Sequence, residues 1–289
     1  MTSNTYKLLD CGDQKKVEML GEYKVIRPCP QAMWDITEEN SKKYWQNADA
    51  EFGLSDGEKG KWRNLKPDPD LKRKHQGNGL PDEFEIVSSD GIKWIIEANE
   101  YGNIGVFTEH WMYGPELSKN FKPRSKILNL FTYSGSNCVS LAKQGYKITA
   151  VDSSKASMDR YVQNLESNRV QSVGQRFILE DAYKFVARET RRESHYDGIM
   201  IDAPSYGRGT KGEVFKIEED LVKLLKATYS LLTKDGYMVI TLHSPRFTPA
   251  ILQIMMSKLF AGKNVTAEEI VQTCESGTGL PSGFLVRVG

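Results

Sequence analysis

From Ile127 onward the chain alternates short apolar runs with amphipathic segments, and no other feature of the sequence limits its fold so tightly. The runs are Ile127–Phe131, Lys147–Val151, Arg176–Leu179, Tyr196–Ile201 and Tyr237–Leu242. Segments at about 136–144, 154–168, 182–193 and 217–233 fall between them and read as helices. Helical spacing is clearest in the last, where Leu221, Leu224, Leu225, Thr228, Leu231 and Leu232 fall on one face. Such alternation predicts an α/β fold built on a doubly wound parallel sheet. Pro249–Phe260 reads as one more helix, and Gly283–Gly289 as a final strand with Val265–Thr273 as its antiparallel neighbour.

Acids follow three successive strands of this pattern: Asp152, Asp181 and Asp202. An open parallel sheet binds ligands at its strand carboxyl ends, so the three are expected along one crevice. Taken singly, each is as readily a helix cap or turn residue. The strongest unit is Ile127–Asp152: a buried strand, the polar loop Thr132–Gly135, a short helix ended by Gly145, and a second strand whose last residue is an acid able to grip a ribose diol. The loop contains a single glycine, Gly135, where a dinucleotide-binding dehydrogenase requires Gly-x-Gly-x-x-Gly.

The N-terminal part is less regular. Tyr23–Ile26 reads as a strand closed by Arg27-Pro28-Cys29-Pro30. Gly53–Gly79 reads as a long loop, in which Lys59, Lys61, Arg63, Lys66, Lys72, Arg73 and Lys74 surround Trp62. Cations and a ring suit RNA, and equally suit a solvated loop with an anchoring tryptophan. Phe84–Val87 and Ile92–Ala98 flank an Asp90-Gly91 turn, and Asn103–Phe107 is expected as the third strand of a meander. A basic lead-in, Lys119, Lys122, Arg124 and Lys126, precedes the alternating region.

Lys and Arg total 39 against 38 Asp and Glu, so net charge selects no partner and any electrostatic footprint must be local. Four dispersed cysteines without a Cys-x-x-Cys pair offer neither the usual zinc spacing nor a disulfide framework, and no metal is expected. The first residues lack the apolar core of a signal peptide and no run is long enough for a membrane span, which reads as a cytoplasmic protein.

The residues from 119 onward resemble a class I S-adenosylmethionine-dependent methyltransferase, and more closely the bacterial family related to large-subunit ribosomal RNA methyltransferases. The resemblance rests on Asn129-Leu-Phe-Thr-Tyr-Ser-Gly135, Val151-Asp152-Ser153, Glu180-Asp181-Ala182 and the long motif from Asp202-Ala-Pro-Ser-Tyr206 to Phe215. It implies a mostly parallel seven-stranded sheet with an antiparallel last strand at 119–289, and a small β-rich substrate-recognition region at 1–118. It implies S-adenosyl-L-methionine as cofactor, held by Phe131, Thr132, Tyr133, Ser134, Gly135, Asp152, Ser153, Asp181, Ala182 and Asp202. The hydroxyls of Thr132 and Ser134 would serve the methionine end. Asp202, Pro204 and Tyr206 would be catalytic, with Phe107–His110 as a lid and RNA, ribosomal RNA foremost, as substrate. The chain departs from the pattern at Ala203, where a second proline is usual, and at Ser205, where lysine is frequent. Relatives that methylate cytosine carbon 5 need a cysteine after the fifth strand; here Thr241-Leu-His-Ser-Pro245 has none, which points to direct transfer to nitrogen or oxygen. His243 in that segment is a candidate general base or a structural histidine.

Overall fold

The structure, a computed structural model, describes residues 4–54, 60–66, 80–208 and 214–289. Contacts divide the chain into two units, Met1–Phe107 with Val271–Pro281, and Thr108–Ile270 with Ser282–Gly289. The division expected after residue 118 thus lies at Phe107, and 108–118 belongs with the second unit.

The first unit is built on a five-stranded sheet, β1 (Tyr6–Gly12), β2 (Lys15–Leu20), β3 (Tyr23–Pro28), β4 (Ala50–Leu54) and β5 (Gly60–Asn64), paired in that order. The first two strands have no alternating pattern to announce them, because Leu8, Leu9, Asp10 and Cys11 are buried in succession. Asp13 and Gln14 turn the chain between them in the left-handed region, at φ 49° and 59°. Inside this unit Arg27 grips the buried Glu18 in a fork, Nε to Oε2 at 2.6 Å and Nη2 to Oε1 at 3.0 Å. All four cysteines are free thiols and buried, with the sulfurs of Cys11 and Cys274 3.5 Å apart.

Part of the expected loop at 53–79 is therefore strand, and residues 55–59 and 67–79, with Lys59 and Lys72–Lys74, lie outside the described residues. Trp62 is buried on β5, edge-on to Phe52 at 5.5 Å, and its indole N–H donates to the Asn99 carbonyl at 3.0 Å. It anchors the sheet, and its ring is not presented for stacking on a base. Arg63 pairs with Glu51, and Lys66 with Asp49 at 2.7 Å. The hairpin β6 (Phe84–Val87) and β7 (Lys93–Ile96) forms about the Asp90-Gly91 turn as expected. Asn103–Phe107 is not a third strand. Glu97 donates to the Ile104 carbonyl, but Gly102 and Gly105, at φ 76° and 82°, bend the segment out of the ladder.

The second unit carries the alternating region. Its strands are β8 (Lys126–Leu130), β9 (Lys147–Asp152), β10 (Arg176–Leu179), β11 (Tyr196–Ala203), β14 (Leu232–Leu242), β15 (Val265–Thr273) and β16 (Gly279–Val288). They lie in the order β10-β9-β8-β11-β14-β16-β15. The first five are parallel, and β16 runs antiparallel to β14. Asn264 and Gly289 exchange both backbone hydrogen bonds, the mark of an antiparallel pair between β15 and β16. A separate ribbon pairs β12 (Tyr206–Arg208) with β13 (Val214–Lys216); residues 209–213 of its tip lie outside the described set. The helices are α1 (Gly114–Asn120), α2 (Val139–Lys143), α3 (Lys155–Ser167), α4 (Ala182–Arg191), α5 (Ile217–Tyr229) and α6 (Pro249–Leu259). Leu221, Leu224 and Leu225 of α5 join Phe185 and Val186 of α4 against Leu128, Ile199, Ile201 and Ile240 of the sheet. Burying such side chains contributes about 1.5–3 kcal/mol each before conformational entropy is counted. Among the described residues no helix is long and apolar enough to cross a membrane.

Candidate active site

Chain order along the sheet reverses between β8 and β11, since β9 and β10 extend one side and β11 and β14 the other. At such a switch point the loops after adjacent strands turn apart and leave a crevice at the carboxyl edge. Register aligns the strand ends there: Leu130 pairs with Val151 and with Ile201, and Asp202 pairs with Thr241. Phe131, Asp152 and Asp202, each one step beyond a paired residue, consequently stand at one edge. Lys122, Arg124 and Lys126 lie at the opposite, amino end of β8, where Lys126 opposes Lys147, so that part of the basic lead-in does not border the crevice.

The loop 131–135 is wound tightly. Phe131, Tyr133 and Gly135 all take left-handed backbone angles, at φ 58°, 49° and 80°. For the two non-glycine residues this costs about 1–3 kcal/mol each, a strain that functional loops retain when their surroundings hold them. Gly135 is obligatory, because a Cβ there would sit 2.2 Å from Cδ2 of the buried Tyr161. Thr132 faces inward: its hydroxyl lies 3.1 Å from the Asn129 carbonyl and accepts from the Val151 amide at 3.0 Å. Ser134 is buried, with its hydroxyl 3.2 Å from that of Ser136 and its carbonyl accepting from Asn164 at 2.9 Å. These hydroxyls, expected to serve a ligand, instead brace the loop. Asn129 and Asn137 exchange side-chain amide bonds at 2.9 and 3.2 Å beneath it, which takes Asn137 out of the helix and starts α2 at Val139.

Asp152 closes this loop onto β9. Its Oδ2 accepts from the Tyr133 amide and its Oδ1 from the Ser154 amide, both at 2.8 Å. Burial raises its pKa, and these backbone donors with that of Ser153 oppose the rise. Three donors on about four lone-pair sites leave the carboxylate acceptor capacity for a ligand. Asp181 caps α4 by accepting from the Lys184 amide at 3.1 Å, with the buried Ala182 opening that helix. Pro204 follows β11, and Tyr206 on β12 is 51% exposed. Phe131 packs on Phe215 of β13 with ring centroids 5.4 Å apart, joining the loop to the ribbon.

Asp202 has neighbours that strand patterning did not reveal. Its Oδ1 accepts from the Thr241 hydroxyl at 2.6 Å and lies 3.5 Å from Nε2 of His110 and 3.4 Å from Nε2 of His243. His110 comes from a 3₁₀ turn, Thr108–Met112, whose Glu109 stands 3.8 Å from Nδ1 of His243. The sequence places His110 more than ninety positions from Asp202, so only the fold brings them together. Burial works to raise the Asp202 pKa, yet the two imidazoles hold it far below the usual carboxylate range. Burial likewise depresses His243, but Asp202, then Glu109 and the Ser282 backbone, outweigh it and push His243 up to about 9. It therefore carries its proton at neutral pH and does not stand ready as a general base. Burial pushes the Cys138 thiol up to about 12, which removes it as a thiolate nucleophile.

Comparison with known proteins agrees with this geometry. Residues 1–289 superpose over their full length on a crystal structure from Agrobacterium tumefaciens described as a SAM-dependent methyltransferase, with 28% identity, 91% of that chain covered and a TM-score of 0.85. The crystal structure of SMU.776, described as a putative methyltransferase complexed with SAH, shares the fold at TM-score 0.74 and 19% identity over 100% of this chain and 76% of that one. The chain is 25% identical over 171 residues to a putative ribosomal RNA large subunit methyltransferase, YwbD, of Bacillus subtilis, covering 58% of this chain and 43% of that protein. It is 24% identical over 211 residues to ribosomal RNA large subunit methyltransferase K of Neisseria meningitidis, covering 69% and 58%. The chain thus spans about half the length of these curated relatives. A family model described as RNA cap guanine-N2 methyltransferase matches residues 124–278, more than half of the chain, and the protein belongs to that family of class I methyltransferases.

Proposed function

We propose that this protein is an S-adenosylmethionine-dependent methyltransferase that transfers a methyl group directly to a nitrogen or oxygen acceptor of RNA, ribosomal RNA foremost, in the cytoplasm. The observation that carries this reading is the meeting of the 131–135 loop, Asp152 and Asp202 at one switch point of the sheet. The family description and the relatives' names support the RNA substrate.

The residues present fit the cofactor on two counts. Gly135 leaves bare backbone where no Cβ has room, and the Asp152 carboxylate, with three backbone donors on about four lone-pair sites, retains acceptor capacity for a ribose hydroxyl. When bound, the cofactor supplies a sulfonium-activated methyl group. The protein's own contribution is then proximity and orientation. Asp152 would fix the ribose, Ser153, Asp181 and Ala182 the adenine side, and Phe131–Gly135 the methionine end through backbone groups. Asp202, ionised across the working pH range, would accept a hydrogen bond from the acceptor's N–H or O–H. Pro204 would hold the strand end rigid beside it, and Tyr206, half out in solvent, would stack on a flat base. Cys138, protonated and buried, leaves direct transfer as the route. The first unit would recognise the substrate, with Lys61 and the basic residues near it as phosphate contacts.

Isothermal calorimetry with S-adenosylhomocysteine tests the cofactor half: one site per chain in the wild type, lost in Asp152→Ala. Transfer of labelled methyl to RNA from cells lacking the gene tests the substrate half. Binding without methylation of any RNA would turn the reading into a cofactor-dependent RNA-binding factor; absence of binding would overturn it.

A further inference from the structure

We infer that His110, Asp202 and His243 form a binding site for a zinc-like divalent transition-metal ion. One ligand atom from each lies within 4.8 Å of the others. Nε2 of His110 and Nε2 of His243 stand 3.5 and 3.4 Å from the same oxygen, Asp202 Oδ1. Those separations exceed the usual N–H···O range of about 2.7–3.2 Å. They match the edge of a tetrahedron about a metal with bonds of about 2.0–2.1 Å, whose ligand atoms lie roughly 3.3–3.4 Å apart. His243, 31% exposed against 2% for His110, is the arm that closes the third edge, and its Nε2 proton is released to solvent as the metal binds.

The surroundings are those that metal ligands require. The Asp202 oxygen that would bind is oriented by the Thr241 hydroxyl at 2.6 Å, which uses one lone pair and leaves the other. The far nitrogen of His243 faces Glu109 at 3.8 Å, a carboxylate–imidazole pair behind the ligand position. Gly283 admits the ring, since a Cβ there would fall 2.7 Å from His243 Nδ1. Two imidazoles, one carboxylate and no thiolate suit zinc, cobalt or ferrous iron over the alkaline earths. Three protein ligands leave a fourth position for water or for an oxygen or nitrogen of a substrate. That the ion would orient or polarise the methyl acceptor rests on the methyltransferase reading; binding of the ion does not.

The test is titration of the metal-free full chain with Co²⁺, without cofactor, followed by visible absorption. The expected result is saturation at one equivalent with the intense d–d bands of a tetrahedral ion, bleached by Zn²⁺. His243→Ala, at the most exposed of the three positions, should weaken binding at least tenfold while keeping the wild-type circular dichroism. Glu109→Gln should weaken it about tenfold. No saturable d–d spectrum in the wild type would overturn the proposal, whether or not any variant folds. So would unchanged affinity in His243→Ala, or near-ultraviolet thiolate-to-cobalt bands that place the ion on cysteines. Because cofactor binding is measured separately by calorimetry on metal-free protein, failure here leaves that reading standing, and the converse holds.

Discussion

Gly135→Ala adds one methyl group at the end of the 131–135 loop, which is proposed to hold the cofactor, and two separable costs follow. The residue sits at φ 80°, where an L side chain is strained by about 1–2 kcal/mol. The added Cβ would also lie 2.2 and 2.6 Å from two Tyr161 ring carbons and 3.0 Å from Val139 Cγ2. Tyr161 is fully buried and cannot swing aside, so overpacking adds about 1–3 kcal/mol. The sum, about 2–5 kcal/mol, is a large share of the 5–15 kcal/mol by which a protein domain is typically stable. Gly145 is the internal control: at φ 91° with no heavy atom within 4 Å of its Cβ position, Gly145→Ala incurs only the backbone cost. Urea unfolding followed by circular dichroism should show Gly135→Ala destabilised beyond Gly145→Ala by about 1–3 kcal/mol. A double-mutant cycle with Tyr161→Ala should return that excess as coupling energy. Equal costs at the two glycines, or coupling below about 0.5 kcal/mol, would refute the steric reasoning. Gly135→Ala should also bind S-adenosylhomocysteine more weakly.

The remaining predictions concern the first unit and the proposed substrate contacts. Burial alone would raise Glu18, but Arg27, Lys16 and Tyr6 lower it from 4.5 to about 2. A depressed carboxylate contributes stability above its unfolded pKa that is lost as pH falls through the folded one, here roughly 3 kcal/mol between about pH 5 and pH 2. Tryptophan-detected unfolding at pH 7 and pH 3 should therefore show wild type losing about 2 kcal/mol more than Glu18→Gln, itself less stable at pH 7; parallel losses would remove the linkage. Tyr206→Ala should change stability by less than about 0.5 kcal/mol yet raise the KM for RNA about tenfold with kcat nearly unchanged, and unaltered kinetics would exclude stacking. Asn137→Ala should leave the buried Asn129 amide with only its contact to Cys138 Sγ and cost about 1–3 kcal/mol in urea unfolding, while a neutral result would deny the pair a structural role.

Strand ends, helices and the acids that follow them were legible in the sequence from 127 onward because buried parallel strands and amphipathic helices write their periods into the residues locally. Strand order and the reversal between β8 and β11 came only with the tertiary structure, since crossover chirality fixes the hand of each connection and not the order of strands. The single glycine of the loop and the absence of a cysteine after β14 were equally local facts. Local patterns failed in the first unit at β1, which shows no alternation; for Trp62 they left a stacking ring and an anchor both open, and the fold makes it the anchor. They could not give the hydroxyl directions of Thr132 and Ser134, which depend on the Asn129 carbonyl, the Val151 amide and the Ser136 hydroxyl that stand opposite. The convergence of His110, Glu109 and His243 on Asp202 was the work of tertiary structure alone. A charge cluster assembled from a turn and two strand ends has no sequence period, and the pKa shifts within it arise from burial and distances that exist only once the sheet has formed.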